Sequence, residues 1–166
     1  MSLKEVREAL VRKHMSTEEE HDFEGAFDTF HHARYEVVPT GDTFDGQAEV
    51  MQFYRETDVA FPDFAFDNVV LHHAEDSVIV EVDFVGTHLG AWRGLPATGA
   101  KVRYRMCNVF EFDGEHLVCE RLYFDLHGLL QQLGIARDPT TLAGRLNTFA
   151  SHPLTVARAF VRQLID

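Results

Sequence analysis

The chain has 166 residues, 45% of them hydrophobic and 25% charged, with a formal net charge of -12. That length suits one domain with a sizeable buried core, and the composition is globular rather than disordered. So acidic a surface repels phosphate backbones and anionic lipid, which argues against nucleic-acid and membrane partners. The 14 Phe residues supply area for either a dense core or an apolar cavity. Cys107 and Cys119 have neither paired nor metal-type spacing and read as packing residues. No apolar run approaches the ~18–20 residues that span a bilayer, and MSLKEVREALVRKH lacks the apolar centre of a signal peptide. The expectation is a reduced, cytoplasmic protein.

In chain order, Leu3, Val6, Leu10 and Val11 recur at helical spacing and predict a helix from Leu3 to about Met15. Ser16 and Thr17 can start a second helix with Phe23, Phe27 and Phe30 on its apolar stripe. Ala33 to Val38 reads as a short strand. A third helix follows Asp45-Gly46, burying Val50, Phe53 and Tyr54. After Phe61-Pro62-Asp63 the period changes from 3.6 to 2. Strands are predicted at 64–71, 77–89, 102–112 and 117–125, with turns at Gly94–Gly99 and Asp113-Gly114. Val78, Val80, Val82 and Phe84 alternate with charged residues and belong to the core. Val102, Tyr104, Met106, Asn108, Phe110 and Phe112 share the inward face of the next strand. A helix starts near His127. A last one starts near Ser151, with Leu154, Ala157, Val161, Leu164 and Ile165 as its stripe. Helices followed by an antiparallel meander predict an α+β fold, its helices on one face of a curved sheet with a hollow at the open end.

Asp125 ends the apolar strand segment Leu122-Tyr123-Phe124-Asp125. Desolvation there would raise its pKa toward the range useful for proton transfer. Strict alternation gives it the face of Leu117, Cys119, Arg121 and Tyr123. The competing reading is a helix N-cap, a role Asp favours, and sequence leaves both open. Arg121 lies about 13 Å back along the strand, too far for a simple ion pair with Asp125. His88 has the parity of Val78 to Phe84 and should point inward, either to orient a carbonyl or as a hydrogen-bonded core histidine. Asn108 and Tyr104 are inward polar candidates, because a buried amide needs partners at both ends. The pairs His31-His32 and His72-His73 diverge on any regular backbone and read as surface residues rather than metal ligands. No motif supports nucleotide binding or a covalent nucleophile.

FPDF at Phe61–Phe64, GTHLGAWRGLPATG at Gly86–Gly99, FDG at Phe112–Gly114 and DLHGLLQQLG at Asp125–Gly134 occur in register. With these pieces the chain resembles the SnoaL-like polyketide cyclase, or ester cyclase, family of the nuclear-transport-factor-2-like superfamily. The resemblance implies a cone-shaped antiparallel sheet wrapped around N-terminal helices over residues 1–135. Residues 136–166 are then an extension, packed on the same domain or in a dimer interface, and a homodimer is expected. It implies Asp125 as the acid/base assisted by a pocket histidine, which His88 matches; Asn108 stands where the family often has His. Tyr104, Tyr123, Arg121 and Trp92 complete the expected substrate-binding set. The implied chemistry is acid/base work on an apolar carbonyl compound, such as intramolecular aldol cyclisation, without metal or cofactor. The alternatives are a non-catalytic small-molecule-binding domain, or a related dehydratase, isomerase or epoxide hydrolase. Epoxide opening of that kind would need two carboxylates flanking an Arg around one water, and sequence offers no second inward carboxylate.

Overall fold

In the computed structural model, which describes residues 1–165, Ser2 opens helix α1 (Leu3–Glu19) with a capping box shared with Glu5. The helix runs past Met15 because Arg7, Val11, His14 and Glu18 continue one buried face at spacings of four, three and four. Arg7 ties that face to the sheet: its guanidinium donates to the carbonyls of Gly114 and Glu75, each at 2.8 Å, and lies over the Phe112 ring. The second helix shrinks to α2 (Phe23–Phe27), capped by Asp22 rather than by Ser16 or Thr17. Strand β1 (Arg34–Val37) turns through Thr40-Gly41 into β2 (Asp42–Asp45), a short strand too weakly patterned to predict. Helix α3 (Gln47–Ala60) follows Gly46.

The remaining sheet is β3 (Ala65–His73), β4 (Ser77–Thr87), β5 (Lys101–Asp113) and β6 (His116–Phe124). The six strands lie in the order β2-β1-β6-β5-β4-β3. All pairs are antiparallel except β1 with β6, so the sheet carries one parallel pair. That pair joins strands far apart in sequence, a connection no hairpin could make. The sheet curves without closing, with α1 to α3 against its inner face. Val78, Val80 and Val82 are fully buried there, as their alternation predicts.

One irregularity decides the interior. Phe112 pairs with Leu117 but Glu111 pairs with Cys119, leaving Val118 as an extra residue in β6. This bulge reverses the alternation beyond it. Leu117 faces inward, and after Val118 the inward residues are Glu120, Leu122 and Phe124. Leu117 therefore does not share a face with Cys119, Arg121, Tyr123 and Asp125.

Helix α4 (Leu126–Gln132) follows β6, then α5 (Leu142–Ser151), which the sequence reading did not anticipate, and α6 (Pro153–Ile165). Ser151 closes α5 instead of opening the last helix; the chain turns at His152, and Pro153 takes the first helical position, where its missing N–H costs nothing. The side chain of Leu164, expected on the α6 stripe, lies outside the described residues. Among the described residues no helix is long and apolar enough to cross a membrane.

Candidate active site

Between the helices and the concave face of the sheet lies a cavity of about 100 Å³. Its walls are aromatic, with Phe23, Phe53, Phe61, Phe64, Phe84 and Trp92 among them. The rings brace one another: Phe84 stacks on Phe64 at 5.6 Å and on Tyr104 at 5.0 Å. Thr40, Glu56 and Arg93 stand along the wall as well, and Arg93 is held by an ion pair with Asp42.

The polar part of the wall is one buried cluster, made of Glu18 from α1, Tyr35 from β1, Tyr54 from α3, Asn108 from β5 and Glu120 from β6. Behind them sits His14, with no exposed surface. Hydrogen-bond inventory assigns its protons. Thr29 donates its hydroxyl proton to the Ala26 carbonyl, so it accepts from His14 Nδ1–H at 2.7 Å. Tyr35 donates to Glu18 Oε1 at 2.7 Å, so its oxygen accepts from His14 Nε2–H at 2.7 Å and from the Tyr54 hydroxyl at 2.9 Å. Both ring nitrogens therefore carry protons, and His14 is an imidazolium. Burial opposes that charge, but the Glu18 and Glu120 carboxylates, 3.4 and 3.1 Å from Nε2, outweigh it and push the His14 pKa up to about 10.

Glu120 accepts from Asn108 Nδ2 at 3.0 Å through Oε1. Its Oε2 makes the 3.1 Å ion-pair contact with His14, yet Nε2–H is directed at Tyr35. Oε2 thus has no hydrogen-bond partner among the described residues, and neither does Asn108 Oδ1. Burial, followed by the nearby Glu18 charge, lifts Glu120 above the ordinary carboxylate range, while His14 pulls the other way. Burial likewise keeps Tyr35 and Tyr54 protonated far above neutral pH. The cluster is a buried carboxylate of raised proton affinity beside two phenols that stay protonated, in the wall of an apolar hollow. The ligand atoms of His14, Glu18 and Glu120 lie within 4.8 Å of one another, enough for a metal site by count. A cation there would first have to displace the Nε2 proton.

Of the residues singled out from sequence, Asn108, Tyr104 and Trp92 line this cavity. His88 is fully buried, as its parity predicts, but lies beside the wall residue Phe61 at 5.3 Å and outside the lining. Its Nδ1 accepts from Thr98 N–H at 3.2 Å, which fastens the 94–99 loop, and burial lowers its pKa. Gly90, two residues on, passes so close to the Val59 carbonyl that a Cβ would sit 1.8 Å from that oxygen. Arg121 and Tyr123 occupy the outer face, with Arg121 paired to Glu36 at 2.6 Å and Glu111 at 2.7 Å. Asp125 is exposed and caps α4, accepting from Gly128 N–H at 2.9 Å. A Cβ on Gly128 would lie 2.5 Å from the Asp125 carboxylate, so the missing side chain is what lets the cap close. Asp22 and Gly25 repeat the same arrangement at the start of α2.

The family model described as SnoaL-like polyketide cyclase matches residues 8–133. The chain belongs to that family. No curated protein sequence matches it. This SnoaL-like protein is similar in structure to AclR, a provisionally named hydroxylase of Streptomyces galilaeus (TM-score 0.69, 20% identity, covering 82% of this chain and 100% of that one). It is similar also to a provisionally named polyketide cyclase of Xanthomonas campestris (TM-score 0.73, 15% identity, 80% and 99% covered). A phenazine biosynthesis-related protein of Pseudomonas aeruginosa aligns with TM-score 0.70 at 18% identity, over 86% and 89% of the two chains. At such identities these likenesses establish the fold. They place the SnoaL-like chain among nuclear-transport-factor-2-like, cone-shaped α+β domains.

Sequence reasoning missed His14, Glu18, Tyr35, Tyr54 as a polar residue, and Glu120. His14 and Glu18 carry a readable signal, since both fall on the stripe of Val11 where polar residues are out of place. Glu120 carries none, because strict alternation from Leu117 sends it outward.

Proposed function

We propose that the protein is a cofactor-independent acid/base enzyme acting on an apolar carbonyl compound, with Glu120 as the proton-transferring group. One observation carries this reading: a buried carboxylate with an unpartnered oxygen forms part of the wall of an aromatic cavity. A base whose pKa is lifted by burial is matched to abstracting a proton beside a carbonyl. Tyr54, kept protonated, would turn its hydroxyl from Tyr35 to the oxygen on which charge develops, and Asn108 holds the Glu120 carboxylate in place. In the aldol case Glu120 takes the proton from the carbon beside one carbonyl. The resulting enolate carbon forms a bond to a second carbonyl carbon of the same molecule, and Glu120 returns the proton to the new alkoxide. The role that the resemblance assigns to Asp125 falls here to Glu120. The enclosed volume suits the reacting end of a ligand better than a whole multi-ring compound, since drug-sized ligands fill roughly 300–1,000 Å³. The rest of a larger substrate would extend past Thr40 and Arg93.

The experiment is deuterium exchange at the activated carbon of 1-phenylbutane-1,3-dione, followed by NMR with wild-type protein and Glu120→Gln. Catalysed exchange lost in the variant supports the reading. Equal exchange in both, with the probe still bound, replaces it with a non-catalytic binding domain.

A second reading, hydrolytic opening of an epoxide, is favoured by the two carboxylates, Glu18 and Glu120, that flank the cationic His14. The cation is an imidazolium in place of the arginine expected for such a set. Diol formation from styrene oxide in ¹⁸O-labelled water, lost in Glu120→Gln, would select it.

A further inference from the structure

We propose that the α5–α6 hairpin docks on the acidic barrel of a second copy of this chain, so that two copies exchange C-terminal arms. The hairpin is apolar and uncovered: Leu142 is 79% exposed, Leu146 70%, Leu154 72% and Ile165 79%, with Phe149 and Phe160 half exposed. Phe149 and Phe160 stack at 6.1 Å and join the helices to each other. Helices of 10 and 13 residues do not persist in water on propensity alone; burial of an apolar face has to hold them. Their own barrel does not provide it.

The connection explains why. Ile135 and Ala136 N–H both donate to the Leu130 carbonyl, Asp138 folds back on Thr140, and Thr141 caps α5. Gly144 then lies against the Asp138 backbone so closely that a Cβ would sit 1.7 Å from its carbonyl oxygen. The linker is a hydrogen-bonded bracket that presents the arm outward.

Charge selects the occupant. Residues 139–165 contain Arg145, Arg158 and Arg162 and neither Asp nor Glu, so residues 1–135 are more acidic than the whole chain's -12. A basic amphipathic arm fits an acidic barrel. Two arms facing each other would set like charges together, and the acidic barrel opposes approach to an anionic membrane. The arm also lies beyond the family match, which ends at residue 133. It is an addition that the fold itself does not require.

The test is light scattering on the full chain at low micromolar concentration, in low and in high salt, beside the triple variant Arg145→Glu, Arg158→Glu, Arg162→Glu. A dimer that weakens with salt, and that the triple variant weakens by tenfold or more with unchanged near-ultraviolet circular dichroism, is the expected result. A second variant, Leu146→Ser with Phe160→Ser, dissociates the dimer by the apolar half of the contact. A monomer under all conditions overturns the proposal. So does a dimer indifferent to charge reversal or tightened by salt, which would mean arm on arm or sheet on sheet. Binding of the monomer to phosphatidylserine vesicles through the arm overturns it in favour of a membrane surface.

Discussion

Glu120 Oε2 lies 3.1 Å from His14 Nε2, although one group comes from the first helix and the other from the last strand. They meet because the Val118 bulge turns Glu120 inward and the face shared with Val11 carries His14 under the sheet. The contact joins a buried acid to a buried cation at the edge of an apolar cavity, and its consequences separate into measurable effects.

Glu120→Gln keeps the shape of the side chain and an acceptor for Asn108 Nδ2 while removing the proton-transferring group. Under the proposed function it lowers catalysed exchange by roughly 10²- to 10⁴-fold. Its melting temperature stays level or rises, because one of two buried carboxylates around a single imidazolium is gone. Exchange kinetics and a thermal melt on the same sample check both halves. A large fall in stability would instead mark Glu120 as a structural ion-pair partner.

His14 makes stability fall with rising pH. Its folded pKa of about 10 lies above the ordinary value of about 6.5, so the folded state holds the proton more tightly. That contribution is complete below about pH 6.5 and is lost as pH climbs through about 10, at up to about 1.4 kcal/mol per pH unit. The raised Glu120 acts in the same sense from the carboxylate range upward. Urea unfolding between pH 6 and 10 should show this slope in the wild type. In His14→Gln the slope flattens and the whole curve drops, by about 3–5 kcal/mol near pH 6.5, since buried carboxylates are left without their cation.

His88→Ala should act on the loop rather than on the chemistry. The wild-type Nδ1 accepts from Thr98 N–H, and removing a fully buried ring costs about 1–3 kcal/mol in lost bonding and packing. Burial depresses the His88 pKa, so the neutral form contributes stability above about pH 6.5, and acid withdraws it as the proton claims that lone pair. Hydrogen exchange should show faster opening of residues 94–99 in the variant, with the pH profile set by Glu120 unmoved. A displaced profile would place His88 in contact with the reacting groups.

The sheet was legible because Val78 to Phe84 and Val102 to Phe112 alternate cleanly over long strands, and a two-residue period has one buried solution. The first helix was legible in kind but not in length, since its last turns bury His14 and Glu18 rather than aliphatic residues. The cluster was hidden for a related reason. Its members are polar, come from five distant segments, and one of them depends on a single extra residue in β6 that no local pattern announces. Asn108 and Tyr104 were found because their strand is regular. Arg121 and Tyr123 were placed with the site because alternation was counted from Leu117 through the bulge.

Asp125 supplies the sharpest separation of roles. As the N-cap of α4 it accepts from Gly128 N–H at 2.9 Å and stands exposed on the barrel. Asn caps a helix nearly as well as Asp, whereas Ala does not. Asp125→Asn therefore keeps stability, and Asp125→Ala loses about 0.5–2 kcal/mol. A general base cannot survive either change. If Glu120 carries the proton, Asp125→Asn exchanges the diketone at close to the wild-type rate and Asp125→Ala follows stability alone. An Asp125→Asn protein that folds normally yet has lost exchange would return the chemistry to Asp125, and would require its carboxylate to leave the cap when substrate binds.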